Sequence, residues 1–260
     1  MAIADSYDGF LVDLDGVVWL GHEPIDGAAA ALTALAAAGK AIVFVTNSPR
    51  IAPAEQARIL QGQGIEAGAD DVVTAGQTLL DLTLREIGEG GKVYAIGTSG
   101  FLEQVKSAGF DLLPADRWPD AAAVLVTGHP GFDYDELKAA SMAARAGAFL
   151  ATIGRDPTMP MPDGLWPGTG SIVAAVETAS GRQAVVAGKP ERPIFDLGVE
   201  ALGLPGGARV AMVGDRLDTD VGGAQKAGLE GILVKGNDSY PPGIDVTPDH
   251  EIDGLSGLFT

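Results

Sequence analysis

Two carboxylates one residue apart close an apolar run, Phe10-Leu11-Val12-Asp13-Leu14-Asp15-Gly16. A run this rich in Phe, Leu and Val reads as a buried strand, and a buried strand has no low-energy place for bare carboxylates, so Asp13 and Asp15 belong at its end. In an open parallel sheet the carboxyl ends of the strands form the ligand crevice. Taken alone, Asp-x-Asp-Gly fits a strand end that caps a turn equally well. Three further apolar runs also end in polar groups: Ala41–Val45 in Thr46-Asn47, Ala184–Ala187 in Gly188-Lys189, and Arg209–Val213 in Gly214-Asp215, with Asp220 close behind. Four strands sharing one parallel sheet would bring these groups into a single crevice.

That set has carboxylates, an ammonium and a hydroxyl, and neither histidine nor thiol. Clustered carboxylates repel one another unless a cation joins them, and hard oxygen donors suit Mg²⁺. Magnesium commonly completes its shell with a substrate phosphate. Lys189 as a point charge and the Thr46 hydroxyl as a directional donor would hold the remaining phosphoryl oxygens. The constellation predicts phosphoryl transfer.

The elements that must position these residues alternate helix and strand, which predicts an α/β fold with a parallel sheet. Gly27 to Ala38 reads as a helix stopped at Gly39, and Pro53 to Leu60 as another. From about Thr78 the alternation continues, but the apolar runs no longer end in such polar clusters, which predicts a separate domain. Within it, Asp133 and Glu136 make a capping-box start for a helix running to Ala146, and Asp111 to Pro119 reads as a loop. Arg155 to Gly164, with Pro157, Pro160 and Pro162, is too punctuated for regular structure. The first pattern then resumes, and Ile232–Val234 reads as the last strand before a Pro/Gly/Asp tail.

Composition narrows the partners. The 260 residues include 17 Lys plus Arg against 35 Asp plus Glu, a formal charge of −18, which repels nucleic acid and anionic membrane surfaces. An anionic substrate therefore needs local positive charge or a metal. The absence of cysteine excludes disulfides, thiolate zinc sites and thiol catalysis. The first residues lack the pattern of a signal peptide, and no run approaches roughly 18 apolar residues, so a cytoplasmic protein is expected. His22, His129 and His250 are too scattered to form a metal site.

Asp13-Leu14-Asp15-Gly16-Val17, Thr46-Asn47, Lys189-Pro190 and Gly214-Asp215-Arg216-Leu217-Asp218-Thr219-Asp220 resemble, in order, the four motifs of the haloacid dehalogenase superfamily. More narrowly, the chain is similar to the branch of sugar-phosphate, phosphoglycolate, glycerol-phosphate and p-nitrophenyl phosphate phosphatases that carries a large α/β cap between the second and third motifs. The resemblance covers nearly the whole chain. It implies a Rossmann-like core over 1–78 and 184–260 with an α/β cap over 79–183, and a small-molecule phosphate ester as substrate. It further implies Asp13 as nucleophile, passing through an aspartyl-phosphate, and Asp15 as general acid and base. Mg²⁺ would be bound by Asp13, the main-chain carbonyl of Asp15 and Asp215, with Asp220 in support, and phosphate by Thr46, Asn47 and Lys189. Asp218 has no role in this pattern. His129, Asp156 and Met159 are the candidates for substrate contacts, and Met161 and Trp166 either line a pocket or pack the cap. Family members often carry an Asn in the segment that here reads Ala151-Thr152-Ile153-Gly154-Arg155-Asp156. Caps of this size commonly offer a homodimer surface. A phosphotransferase, or a catalytically silent binding module on the same fold, would share these motifs.

Overall fold

The computed structural model of the protein describes residues 2–21, 23–161, 163–236 and 245–260. The chain divides into two compact units, Met1–Thr46, Pro53–Thr74 and Lys189–Thr260 forming one, Asn47–Ala52 and Ala75–Gly188 the other.

The first unit opens with strand β1 (Gly9–Val12), followed by a hairpin of β2 (Trp19–Leu20) and β3 (Glu23–Pro24), helix α1 (Ala28–Ala37), β4 (Ala41–Thr46), α2 (Pro53–Gly62) and β5 (Val72–Thr74). The second unit contributes α3 (Ala75–Ile87), β6 (Lys92–Gly97), α4 (Ser99–Ser107), β7 (Asp111–Leu112), β8 (Ala123–Gly128), α5 (Tyr134–Ala146), β9 (Phe149–Thr152), β10 (Thr158–Met161), β11 (Gly164–Pro167), α6 (Thr169–Ser180) and β12 (Val185–Val186). The chain then returns to the first unit with α7 (Arg192–Ala201), β13 (Val210–Gly214), α8 (Gly222–Ala227), β14 (Glu230–Val234) and β15 (His250–Ile252).

The first unit's sheet runs β15-β14-β13-β1-β4-β5, and every pairing in it is parallel. From β1 the chain builds outward through β4 and β5, and from β13 it builds the other way through β14 and β15. The β1–β13 boundary is thus the switch point where open α/β sheets bind ligands. All four residues of β1 are buried, and Phe10, Leu14, Trp19 and Leu35 have no exposed surface. Strands covered on both faces must be apolar throughout, which is why the runs read continuously in the sequence.

The second unit has its own parallel sheet, β12-β9-β8-β6-β7. Val124, Leu125 and Val126 are fully buried at its centre, and Val126 packs with Ile96, Ala140 and Val173. The capping box of α5 forms as expected: Asp133 Oδ1 accepts from the Glu136 N–H at 3.0 Å, and Glu136 Oε2 accepts from the Asp133 N–H at 3.2 Å.

Four expectations need correction. Asp111 to Pro119 is not a plain loop, because Asp111–Leu112 adds an edge strand and Ala115–Asp120 winds into a 3-10 helix. The proline-rich stretch from Arg155 is not irregular: β10 and β11 pair as an antiparallel ribbon, Met159 opposite Trp166 and Pro160 opposite Leu165. A two-stranded ribbon has an outward N–H row on each strand, so prolines fit where a central strand would exclude them. Pro162 lies outside the described residues. Ile232–Val234 is not the last strand, since β15 pairs beyond it. Finally, Val185–Val186 joins the second unit's sheet through β9, so Lys189 does not follow a strand of the sheet that carries Asp13. No helix among the described residues is long and apolar enough to cross a membrane.

Candidate active site

Asp13 is the first residue past β1, and its N–H donates to the Val213 carbonyl of β13 at 2.9 Å. Asp215 follows β13 in the same way. Beyond it Leu217–Val221 forms a π-helical turn, which folds Asp220 back so that its Oδ2 accepts from the Arg216 N–H at 3.0 Å. One carboxylate oxygen from each of Asp13, Asp215 and Asp220 lies within 4.8 Å of the others, and all three residues are buried.

Lys189 enters this cluster from the turn before α7. Its Nζ lies 2.6 Å from Asp13 Oδ1 and 2.7 Å from Asp220 Oδ1, and donates to the Val45 carbonyl at 3.2 Å. The last contact sets Lys189 against the end of β4, where Thr46 is the next residue and is buried. The Val45 carbonyl is a partner that residue types cannot reveal, because any residue supplies it.

Two glycines leave room for the carboxylates. A Cβ on Gly16 would stand 2.2 Å from Asp215 Oδ2, and Gly16 also holds φ at +85°. A Cβ on Gly214 would stand 2.3 Å from both Cβ and Oδ2 of Asp220. No other residue fits either position without moving a carboxylate.

Three carboxylates and one ammonium leave an excess of negative charge in a buried site. Burial pushes the Asp13 carboxyl up to about 7; Lys189 opposes this, while Asp220 and Asp215 add to it. For Lys189, burial works against the ammonium, but Asp13 and Asp220 outweigh it and hold its pKa above the ordinary lysine value. The donor set fits Mg²⁺: it is all oxygen, compact and in excess of its counter-charge.

Asp15 is exposed beside this cluster, in the turn where the Gly16 N–H donates to the Trp19 carbonyl at 2.7 Å. Asp218 pairs with Arg216 at 2.8 Å. His250 packs edge-on against Tyr7, with ring centroids 6.3 Å apart, and His22 lies outside the described residues.

The remaining candidates belong to the second unit. Asn47 Oδ1 lies 2.6 Å from where a Gly188 Cβ would stand. His129 and Met159 line a cavity of about 460 Å³ together with Arg50, Phe132, Met161 and Trp166. Asp156 is not among its lining residues; its carbonyl accepts from the Gly170 N–H at 2.9 Å, at the start of α6. Gly168-Thr169-Gly170 forms that helix start, with Gly168 at the N-cap. Arg50 and Phe132 carry no sequence signal, since each stands alone in an ordinary loop context.

The haloacid dehalogenase-like hydrolase family matches residues 10–111, and the HAD hydrolase-like family matches residues 186–258. The chain is 36% identical over 234 residues to D-glycerol 3-phosphate phosphatase of Mycobacterium tuberculosis, covering 90% of this chain and 64% of that protein. It is 37% identical over 235 residues to chronophin of Rattus norvegicus, covering 87% of this chain and 75% of that one. The crystal structure of a glycerol phosphate phosphatase from Mycobacterium tuberculosis in complex with magnesium superposes with a TM-score of 0.86 at 33% identity, over 100% of this chain and 78% of that one. The chain thus spans about two thirds of the length of its mycobacterial relative (64%). With these motifs, this sheet order and these relatives, several of them named phosphatases, the chain belongs to the haloacid dehalogenase-like hydrolase family.

Proposed function

We propose that this chain is a Mg²⁺-dependent phosphatase that hydrolyses small-molecule phosphate monoesters through a phosphorylated Asp13. The observation that carries the reading is the convergence of Asp13, Asp215 and Asp220 around Lys189 at the β1–β13 switch point. Asp13 attacks phosphorus, forming an acyl-phosphate bond as the ester P–O bond breaks. Asp15, exposed and two residues on, gives a proton to the leaving alkoxide, then takes one from the water that hydrolyses the acyl phosphate. Lys189 holds the nucleophile in place and, with the Thr46 hydroxyl, neutralises phosphoryl oxygens. Asp13, Asp215 and Asp220 are the side chains that would hold Mg²⁺, with the Asp15 carbonyl. When bound, the ion offsets charge on the transferring group and lets an anionic nucleophile meet an anionic ester.

The second unit, 75–188 with 47–52, is the part that selects the alcohol. The charge of −18 argues against nucleic acid as a partner, and the absence of cysteine fits a cytoplasmic protein. A homodimer is the assembly to look for by light scattering.

Phosphate release from small esters in millimolar MgCl₂ tests this reading. Asp13→Asn should lower kcat by at least about 10³-fold, and excess EDTA should abolish turnover reversibly. Full activity in EDTA, or substantial activity in Asp13→Asn, would overturn the assignment.

A further inference from the structure

Between Asp215 and Asp220, the two carboxylates that follow β13, the chain makes a turn of the π type, which is rare and recurs at functional sites. The Val221 N–H donates to the Arg216 carbonyl at 3.3 Å and the Gly222 N–H to that of Leu217, while the Asp220 N–H shares the Arg216 carbonyl at 3.0 Å. The Arg216 N–H in turn donates to Asp220 Oδ2 at 3.0 Å. The backbone of Arg216 therefore fixes both the main chain and the carboxylate of Asp220, and Asp215 is the residue immediately before it. Relaxing this turn to α geometry would shift its register by one residue and swing Asp220 about 100° round the axis, away from Lys189 and the Arg216 N–H.

The start of the turn is tied down by a fork. Arg216 Nε donates to Asp218 Oδ1 at 3.1 Å and Arg216 Nη2 to Asp218 Oδ2 at 2.8 Å, a bidentate pair that sets the orientation of both groups across Leu217. The two side chains are 40% and 24% exposed, so water screens the pair only in part. Both Asp218 oxygens are engaged by Arg216, and Asp218 is not one of the carboxylates that meet at the cation site.

We propose that Asp218 is a positioning residue: by clamping Arg216 it holds the π turn that presents Asp215 and Asp220 to the metal. The metal is that of the phosphatase reading, on which this inference rests. A charge acting through space would behave differently. Asp218 and Arg216 offset each other, so removing the cation would then tighten Mg²⁺ binding and removing the carboxylate would loosen it. Positioning requires both changes to loosen it, with no further loss when they are combined, because the two side chains act as a unit.

Titration calorimetry with Mg²⁺ on the full chain, on Asp218→Asn, Arg216→Met and their double variant, and on Arg216→Lys, separates the two. The Kd for Mg²⁺ should rise at least about fivefold in each of the first two variants, and the double variant should lie within about twofold of them. Arg216→Lys should bind no better than Arg216→Met, since an ammonium cannot make the fork. In EDTA, with no metal bound, hydrogen exchange at the Asp220 and Val221 amides should quicken at least about tenfold in Asp218→Asn and Arg216→Met, while the β1 amides keep wild-type protection and report that the unit is folded. In hydrolysis, the Mg²⁺ concentration giving half the maximal rate should rise by the same factor as Kd, with the rate at saturating Mg²⁺ within about threefold of wild type. Tighter Mg²⁺ binding in Arg216→Met, additive losses in the double variant, or unchanged amide exchange would each overturn the inference. If wild type binds Mg²⁺ and the variants lose affinity as stated but no ester is hydrolysed, the positioning role stands and the phosphatase reading falls. A wild type that binds no Mg²⁺ overturns both.

Discussion

Lys189→Met isolates the electrostatics of the site from its chemistry. The ammonium is 3% exposed and lies 2.6 Å from one carboxylate and 2.7 Å from another. At an effective dielectric of about 20, each contact is worth about 6 kcal/mol in gross attraction, set against a desolvation cost of several kcal/mol for each ion. Methionine preserves the length and apolar stem, so the substitution leaves three mutually close carboxylates with no counter-ion from Lys189. Breaking a buried pair in this way costs about 3–5 kcal/mol, out of a total stability of about 5–15 kcal/mol. The loss should be full in EDTA at about pH 8. Saturating MgCl₂ should restore a large part of it, since a ligand at about 100 times its Kd adds about 2.7 kcal/mol to the native state and the variant has gained affinity for a cation. Urea unfolding reads this directly. Trp19, fully buried in the first unit, reports on that unit alone in a Trp118→Phe, Trp166→Phe background. A loss below about 1 kcal/mol in EDTA, or a loss that magnesium leaves unchanged, would refute the account of Lys189 as the internal counter-ion of a cation site.

Other perturbations test other links. Gly16→Ala places a methyl 2.2 Å from Asp215 Oδ2 at a φ of +85° and should cost about 1–2 kcal/mol in backbone strain, with a larger loss of Mg²⁺ affinity measured by titration calorimetry. Because burial raises the Asp13 pKa above its unfolded value, the folded state holds the extra proton. In EDTA the contribution of Asp13 to stability should therefore be full at low pH and fall as pH rises toward about 7, a slope absent from Asp13→Asn and flattened by magnesium. Tyr94 is pushed up to about 12 by burial, then by Glu136, Asp133 and Asp135, so its contribution is complete below about pH 10 and lost above it, by up to about 1.4 kcal/mol per pH unit. Tyr94→Phe should remove that alkaline slope from the urea midpoint.

The alternation of elements and the site motifs were legible because both are local. A strand buried on both faces writes itself as a continuous apolar run with a polar end, and Asp13, Thr46 and Asp215 stand at the ends of β1, β4 and β13 as that pattern implies. Sheet membership was not legible. Val185–Val186 has the same apolar character as β4, and only pairing with β9 shows which sheet it completes. The proline-rich ribbon was missed because a proline scan measures suitability for a central strand and is silent about a two-stranded one. At His129 the residue type suggested a polar contact, while the Gly131 N–H and Glu136, two and seven residues away, occupy both nitrogens. Arg50 and Phe132 reach the cavity through tertiary packing, which leaves no periodicity to read.

Both parallel sheets end in very short strands: β5 and β15 have three residues each, β7 and β12 two each. A strand that brief offers another chain only one or two free backbone groups on a side, too few to fix a register. The apolar central strands, which would be the templates for aggregation if they lay at a margin, are flanked on every side. A concentrated solution of the folded protein should accordingly resist growth of edge-to-edge β-assemblies, and substitutions that lengthen β12 or β15 are the ones to expect to spoil that resistance.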